Sequence, residues 1–162
     1  MNYSQYQLVS LTVLRVLIGW HFLYEGISKL ISPYWSSAAY LLDSKWLLSG
    51  VATTIVSNPT LLSFSDYINM WGLTAVGALL ILGLFSRYAT VAGLVLVLLY
   101  YFFAPPFTGL EYSKPAEGSY LIVNKNLIEA CALWVLFMFP SSDIIGLDRF
   151  FKEQINKGDE HE

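Results

Sequence analysis

The sequence predicts an all-α integral membrane protein: a bundle of four transmembrane helices, with an amphipathic helical segment between the first and the second. Three observations predict it. Of 162 residues, 56% are hydrophobic and only 13% charged, too little charge to solvate the surface of a soluble domain of this size. Mean hydropathy is +0.54, and aromatic residues, which gather at membrane interfaces, make up 16%. The apolar residues also fall into four runs, at 8–30, 67–85, 88–103 and 121–139. Each has a length that crosses hydrocarbon with little tilt. The chain reads as one domain over 1–162 with no internal repeat.

The first run carries Arg15, His21, Glu25 and Lys29. Each of its dozen aliphatic or Phe residues favours insertion by about 0.3–0.6 kcal/mol, and each central charge costs about 2.5–3.5 kcal/mol. The terms nearly cancel, so later helices must cover its polar side. No Lys or Arg precedes the run and no small-residue cleavage site follows it, so a retained helix is expected rather than a cleaved signal. Residues 32–65 follow, punctuated by Pro33 and Pro59. Trp46, Leu47, Leu48 and Val51 recur there at helical spacing between polar residues, as in an interfacial helix. The second run has Gly72, Gly77 and Gly83, which permit close helix contact. Ser86 and Arg87 make so short a turn that the third run must return antiparallel. That run ends in Tyr100, Tyr101, Phe102 and Phe103, an expected aromatic belt, before Pro105 and Pro106 stop it. A polar loop with Glu111, Lys114 and Glu117 leads to the fourth run, which Pro140 ends. A charged amphipathic tail occupies 141–162.

Lys and Arg divide evenly between the two sides. Arg87, Arg149, Lys152 and Lys157 face Lys29, Lys45, Lys114 and Lys125. Charges in short segments near span ends weigh most, so both termini are expected on the cytoplasmic side.

Four alternating spans bring the end of the first, the start of the second, the end of the third and the start of the fourth to one face. The unusual polar residues sit on those parts: His21, Glu25 and Lys29, then Asp66 and Asn69, then Tyr100 and Tyr101, then Lys125, Asn126 and Glu129. At 100° per residue Arg15, His21, Glu25 and Lys29 lie within an arc of roughly 120°, with Arg15 deeper. Glu25 and Lys29 have the favourable i, i+4 order for an ion pair, and Lys125 and Glu129 repeat it in reverse. Ionisable residues inside spans normally face the bundle interior and mark function. His21, Glu25 and Glu129 are therefore the candidate proton-transfer residues. Arg15, Lys29, Asn69, Tyr100, Tyr101, Lys125 and Asn126 are the candidate ligand-binding residues.

Blander readings exist for each. The Glu–Lys pairs can hold helices in register without chemistry, Lys29 and Lys125 can snorkel to the interface, and Asp66 and Asn69 can cap a helix start. Cys131, the only cysteine, reads as an inert buried thiol and excludes an intrachain disulfide. His161 lies in the tail, so a bis-histidine haem is not expected, and no closely spaced ligand set points to a metal. Without a basic patch, nucleic acid is no partner; membrane lipids are.

Several segments resemble the DoxX/DoxD family of small bacterial membrane proteins. RVLIG at 15–19, followed by Phe22, Leu23, Gly26, Lys29 and Leu30, resembles its first helix. GLFSR at 83–87 resembles its second turn, and NKNLIEA at 124–130 the start of its fourth helix. The long first loop with Pro33, Tyr34, Trp35, Tyr40 and Leu41 is similar to the DoxD branch. That resemblance implies a membrane subunit of the thiosulfate:quinone oxidoreductase type, which works with a second subunit, DoxA. It carries over Arg15, Lys29, Arg87, Lys125, Asn126 and Glu129 as motif positions. A quinone would be the cofactor; since the sequence shows no redox-cofactor motif, the electrons would come from a periplasmic or membrane redox protein or through a further cofactor that no motif marks. The alternative is a non-catalytic membrane anchor that binds a lipid or a partner subunit. A proton-coupled transporter fits less well, because four short spans lack a repeat.

Overall fold

The structure, a computed structural model, describes residues 3–113 and 121–150. Lys114 and Glu117 of the second loop, and Lys152, Lys157 and His161 of the tail, lie outside the described residues. The fold is all-helical. Helix α1 spans Gln5–Ile31, α2 Ala38–Leu42 and α3 Ser49–Ser57. Helix α4, Pro59–Tyr67, runs through a π turn at Ile68–Gly72 into α5, Leu73–Leu82. Helix α6 spans Ser86–Phe103 and α7 Lys125–Met138, followed by a 3-10 turn at Ser141–Asp143. Three stretches are long and apolar enough to cross a membrane: Gln5–Ile31, Pro59–Leu82 and Ser86–Phe103.

Local sequence explains the ends. Ser4 and Gln7 form a reciprocal capping box that starts α1. Asn58 accepts from the Thr60 and Leu61 amides and Pro59 occupies the first helical turn, where a missing N–H costs nothing. This revises two expectations. Residue 59 opens the second long helix rather than punctuating a loop, so that helix starts eight residues earlier than the 67–85 run, at Pro59. Asp66 and Asn69 are then helix-interior residues and not caps. The segment expected at the interface shrinks to α2 and α3. At the other end, Gly83 closes α5 in the left-handed conformation (φ 64).

The helix expected at 121–139 is shorter and covers Lys125–Met138. Its cap is Asn124, which accepts from the Leu127 amide at 3.0 Å. Fourteen residues make about 21 Å of helix.

Helix α1 lies along α5, α6 along α7, and α5 joins α6. The core between them is Ile18 and Phe22 of α1, Leu73, Val76 and Leu80 of α5, Ala89 and Val97 of α6, and Ala130, Leu133 and Leu136 of α7. Large apolar side chains such as Leu17, Trp20, Val95 and Trp134 point outward, the surface of a protein embedded in lipid. Lipid removes the usual hydrophobic drive for helix association, so close packing must supply it. Glycines do so between α1 and α5. A Cβ on Gly77 would stand 2.6 Å from the Gly19 carbonyl oxygen and 2.7 Å from Leu23 Cα, and one on Gly26 would stand 2.5 Å from the Thr74 amide nitrogen.

The chain after α7 folds back over the α5–α6 turn. The Leu147 and Asp148 amides donate to the carbonyls of Leu82 (3.1 Å) and Gly83 (2.9 Å). The Asp148 carboxylate accepts from the amides of Phe85 (2.6 Å) and Ser86 (3.0 Å), and so caps α6. Described residues of the tail thus form an ordered strap.

Candidate functional site

The end of the bundle opposite the strap gathers most of the candidate polar residues. Along α1, His21, Glu25 and Lys29 follow at one-turn intervals. Lys29 Nζ donates to Glu25 Oε2 at 2.7 Å, as the i, i+4 order predicts. His21 Nδ1 meets Glu129 Oε1 of α7 at 2.7 Å, so Glu129 reaches across to α1. The π turn carries Asn69 on the facing helix. Such turns recur at functional sites because an extra residue re-aims a side chain. Asn69 Nδ2 donates to the Ser65 carbonyl at 3.0 Å, and its Oδ1 accepts from the Tyr100 hydroxyl at 2.5 Å.

Two contiguous cavities result. The smaller, about 120 Å³, is polar and lined by His21, Glu25, Lys29, Lys125, Asn126 and Glu129, with Phe22, Leu73, Val97 and Tyr100 as its apolar side. The larger, about 740 Å³, runs beneath α2 and α3 between α4 and α6. Glu25, Lys29, Tyr100, Lys125 and Asn126 line both. Away from them the larger cavity is walled by Val51, Ile55, Leu61, Phe64, Leu96 and Leu99.

The short helix α2 roofs this space and is fastened by side chains that the periodicity did not single out. Asp66 Oδ1 accepts from the Ser37 amide (2.7 Å) and hydroxyl (2.6 Å). The Tyr40 hydroxyl donates to the Tyr100 carbonyl at 2.7 Å, and burial raises the Tyr40 phenol well above its ordinary pKa, so it remains a donor. Lys29 Nζ sits 5.5 Å from the Trp35 ring centroid, a cation–π distance. Asp43 accepts from the Ser113 amide, and Lys45 donates to the Glu111 carbonyl, which ties the roof to the loop after α6.

Three expectations are corrected. Arg15 is not part of this group: it is buried at the strap end, where it donates to the Ile145 carbonyl at 2.7 Å and to Ser141 Oγ at 3.5 Å. Tyr100 and Tyr101 do not form a lipid-facing belt. Tyr100 bonds Asn69, and Tyr101 is buried with its hydroxyl on the Ile122 carbonyl at 2.8 Å; Tyr101 lines neither cavity. Cys131 is exposed on the outside of α7 rather than buried.

An all-helical membrane protein with apolar outer faces and a polar-walled hollow at one end is the class these features define. The family model for DoxX matches residues 10–106, more than half of the chain, and the protein belongs to the DoxX family. The match takes in α2 to α6 and nearly all of α1, and ends before α7. Comparison with curated proteins gives no match, and comparison with solved structures gives none.

Proposed function

We propose that the protein is the membrane subunit of a quinone-linked oxidoreductase, of the DoxD-like type that oxidises a sulfur donor with a second subunit's help. In this reading it spans a bacterial inner membrane four times, α7 being the fourth span, with both termini cytoplasmic and the cavity end periplasmic. One observation carries the proposal: a small polar chamber opens into a larger apolar one, and the same five residues line both. An isoprenoid quinone has the matching division, a ring with two carbonyl acceptors and an apolar tail. Ligand cavities usually run to about 300–1,000 Å³, so the larger space has the right scale.

The roles follow from donor chemistry. Lys29, Lys125 and Asn126 donate to ring carbonyl oxygens. Glu25, Glu129 and His21 hold and pass the protons. Tyr100 offers a ring face, with Asn69 fixing its hydroxyl. Quinone, when bound, would supply two-electron, two-proton chemistry, with the electrons delivered by the proposed partner protein.

A second reading is favoured by the way these charges satisfy one another. Glu25 has Lys29, and Glu129 has His21, as in a structural assembly that merely anchors a partner or lipid. Quinone extraction from purified protein separates the two. Under the leading proposal, wild type carries quinone, Glu25→Gln lowers thermal stability by leaving Lys29 poorly compensated, and joint replacement of Glu25 and Lys29 by leucine restores stability while abolishing quinone retention. Full recovery of both stability and quinone content in the joint variant would leave only the structural role.

Topology has its own check. In a Cys131→Ser background, cysteine at Arg87, which is exposed, labels with impermeant maleimide only from the cytoplasm. Cysteine at the exposed Ser113 labels from the periplasm. Labelling of both from one side rules out the antiparallel arrangement proposed for the spans.

A further inference from the structure

We propose that the apolar cavity between α3, α4 and α6 is a lateral channel for the tail of a single-chain amphiphile with a neutral headgroup, open to the bilayer at Val51, Leu61 and Phe64. The inference rests on the quinone reading and adds the ligand's route and class.

The opening follows from exposure. Val51 is 49% exposed, Leu61 41% and Phe64 63%, yet all three line the cavity. They mark its mouth. Leu61 and Phe64 lie in the first two turns of a helix long and apolar enough to cross a membrane, and Val51 lies on α3, so the mouth faces the boundary between headgroups and acyl chains. From it, apolar wall continues along Ile55, Leu96 and Leu99 to the polar end at Glu25, Lys29 and Asn126. A tail lying along these side chains has apolar contacts, while Ser36, Ser37, Ser65 and Asn69 add hydrogen-bonding groups to the same cavity.

Charge selects the headgroup. The shared lining holds Lys29 and Lys125 against Glu25, and the polar chamber adds Glu129 with His21. Lys29 is already held by Glu25 at 2.7 Å. A phosphate headgroup entering there would meet carboxylates as well as cations, so the balance favours a neutral acceptor over an anionic phospholipid. Volume selects the tail. About 740 Å³ takes a ring and a few prenyl units, whereas two full acyl chains would have to leave most of their length outside. The roof bonds from Asp66 to Ser37 keep α2 over the headgroup, which leaves the lateral mouth as the path.

Because a prenyl tail is equally well solvated by lipid, affinity against tail length is a poor probe. Position is a good one. The experiment uses the full chain in lipid nanodiscs and two photoreactive ubiquinone analogues, one with an azide on the ring and one with a diazirine on the second prenyl unit. Cross-linked sites are mapped by mass spectrometry, with unlabelled ubiquinone as competitor. The expected result is competed ring labelling near Lys29, Tyr100 and Asn126, and competed tail labelling on α3 and α4 between Val51 and Phe64. Ile55→Trp, which fills the channel, should cut tail labelling there at least ten-fold with unchanged melting temperature. If ring labelling is competed but tail labelling falls elsewhere or ignores Ile55→Trp, the channel is wrong and the quinone reading stands. If neither label is competed, the quinone reading itself falls. A diazirine phosphatidylglycerol that labels Val51 to Phe64 and resists displacement by ubiquinone would overturn the neutral, single-chain class.

Discussion

Replacing Gly77 by leucine is expected to separate α1 from α5 and to lower unfolding stability by about 3 kcal/mol, the upper part of the usual range for overpacking. The atoms in the way are backbone. The first carbon of any side chain at Gly77 would sit 2.6 Å from the Gly19 carbonyl oxygen and 2.7 Å from Leu23 Cα. Neither can rotate aside as a side chain would, so the helices must part. In lipid no hydrophobic drive holds them together, so what the substitution removes is the close packing itself. Gly50→Ala is the control. It meets nothing within 4 Å, and should leave stability within about 0.5 kcal/mol of wild type. Steric-trap or detergent-titration unfolding in bicelles measures both. Equal stability of the two variants would show that the α1–α5 contact is looser than the structure has it.

The second large effect is expected at Arg15. Arg15→Met keeps most of the side-chain volume and removes the donors to the Ile145 carbonyl and Ser141. A hydrogen bond from a charged group contributes about 1.5–3 kcal/mol; the Ser141 contact at 3.5 Å adds little, so a loss of about 2 kcal/mol should follow from the Ile145 bond. Hydrogen–deuterium exchange should show where. The amides of Leu147 and Asp148, now bonded to the Leu82 and Gly83 carbonyls, should exchange faster, and those around Asn69 should not. Quinone content should stay at the wild-type level, since Arg15 lines neither cavity. Slow exchange in the strap together with lost quinone would reverse the assignment and return Arg15 to the ligand site.

Arg15 also shows what the sequence can and cannot specify. Its angular position on α1 falls within the same arc of roughly 120° as His21, Glu25 and Lys29, and that shared arc outweighed its greater depth. Fourteen residues separate Arg15 from Lys29, or about 21 Å along the axis, which places them at opposite ends of the bundle. The Glu25–Lys29 pair was legible because i, i+4 contacts are set by one helix alone. The His21–Glu129 pair needed two helices and their relative rotation, which no local pattern encodes. Pro59 misled for a different reason. The same residue marks a loop or the first turn of a helix, and only the Asn58 side chain, accepting from two amides, decides which. The roof residues Ser37 and Tyr40 carry no periodic signal, because α2 has five residues.

The length of α7 reaches beyond the protein itself. As the fourth span proposed above, α7 with its 14 residues would fall about 9 Å short of an average hydrocarbon layer, beside α6, whose 18 residues make about 27 Å of helix. Lipids along that flank would then shorten to meet it, by tilting or disordering their chains, and the dent would draw water toward Asn124 and Lys125. On that proposal membrane thickness would become a physiological variable for this protein. Thin bilayers relieve the mismatch, while thick sterol-like or long-chain bilayers oppose it. Acyl-chain length, which cells adjust with temperature, would then tune how wet the polar chamber is without any change in the polypeptide.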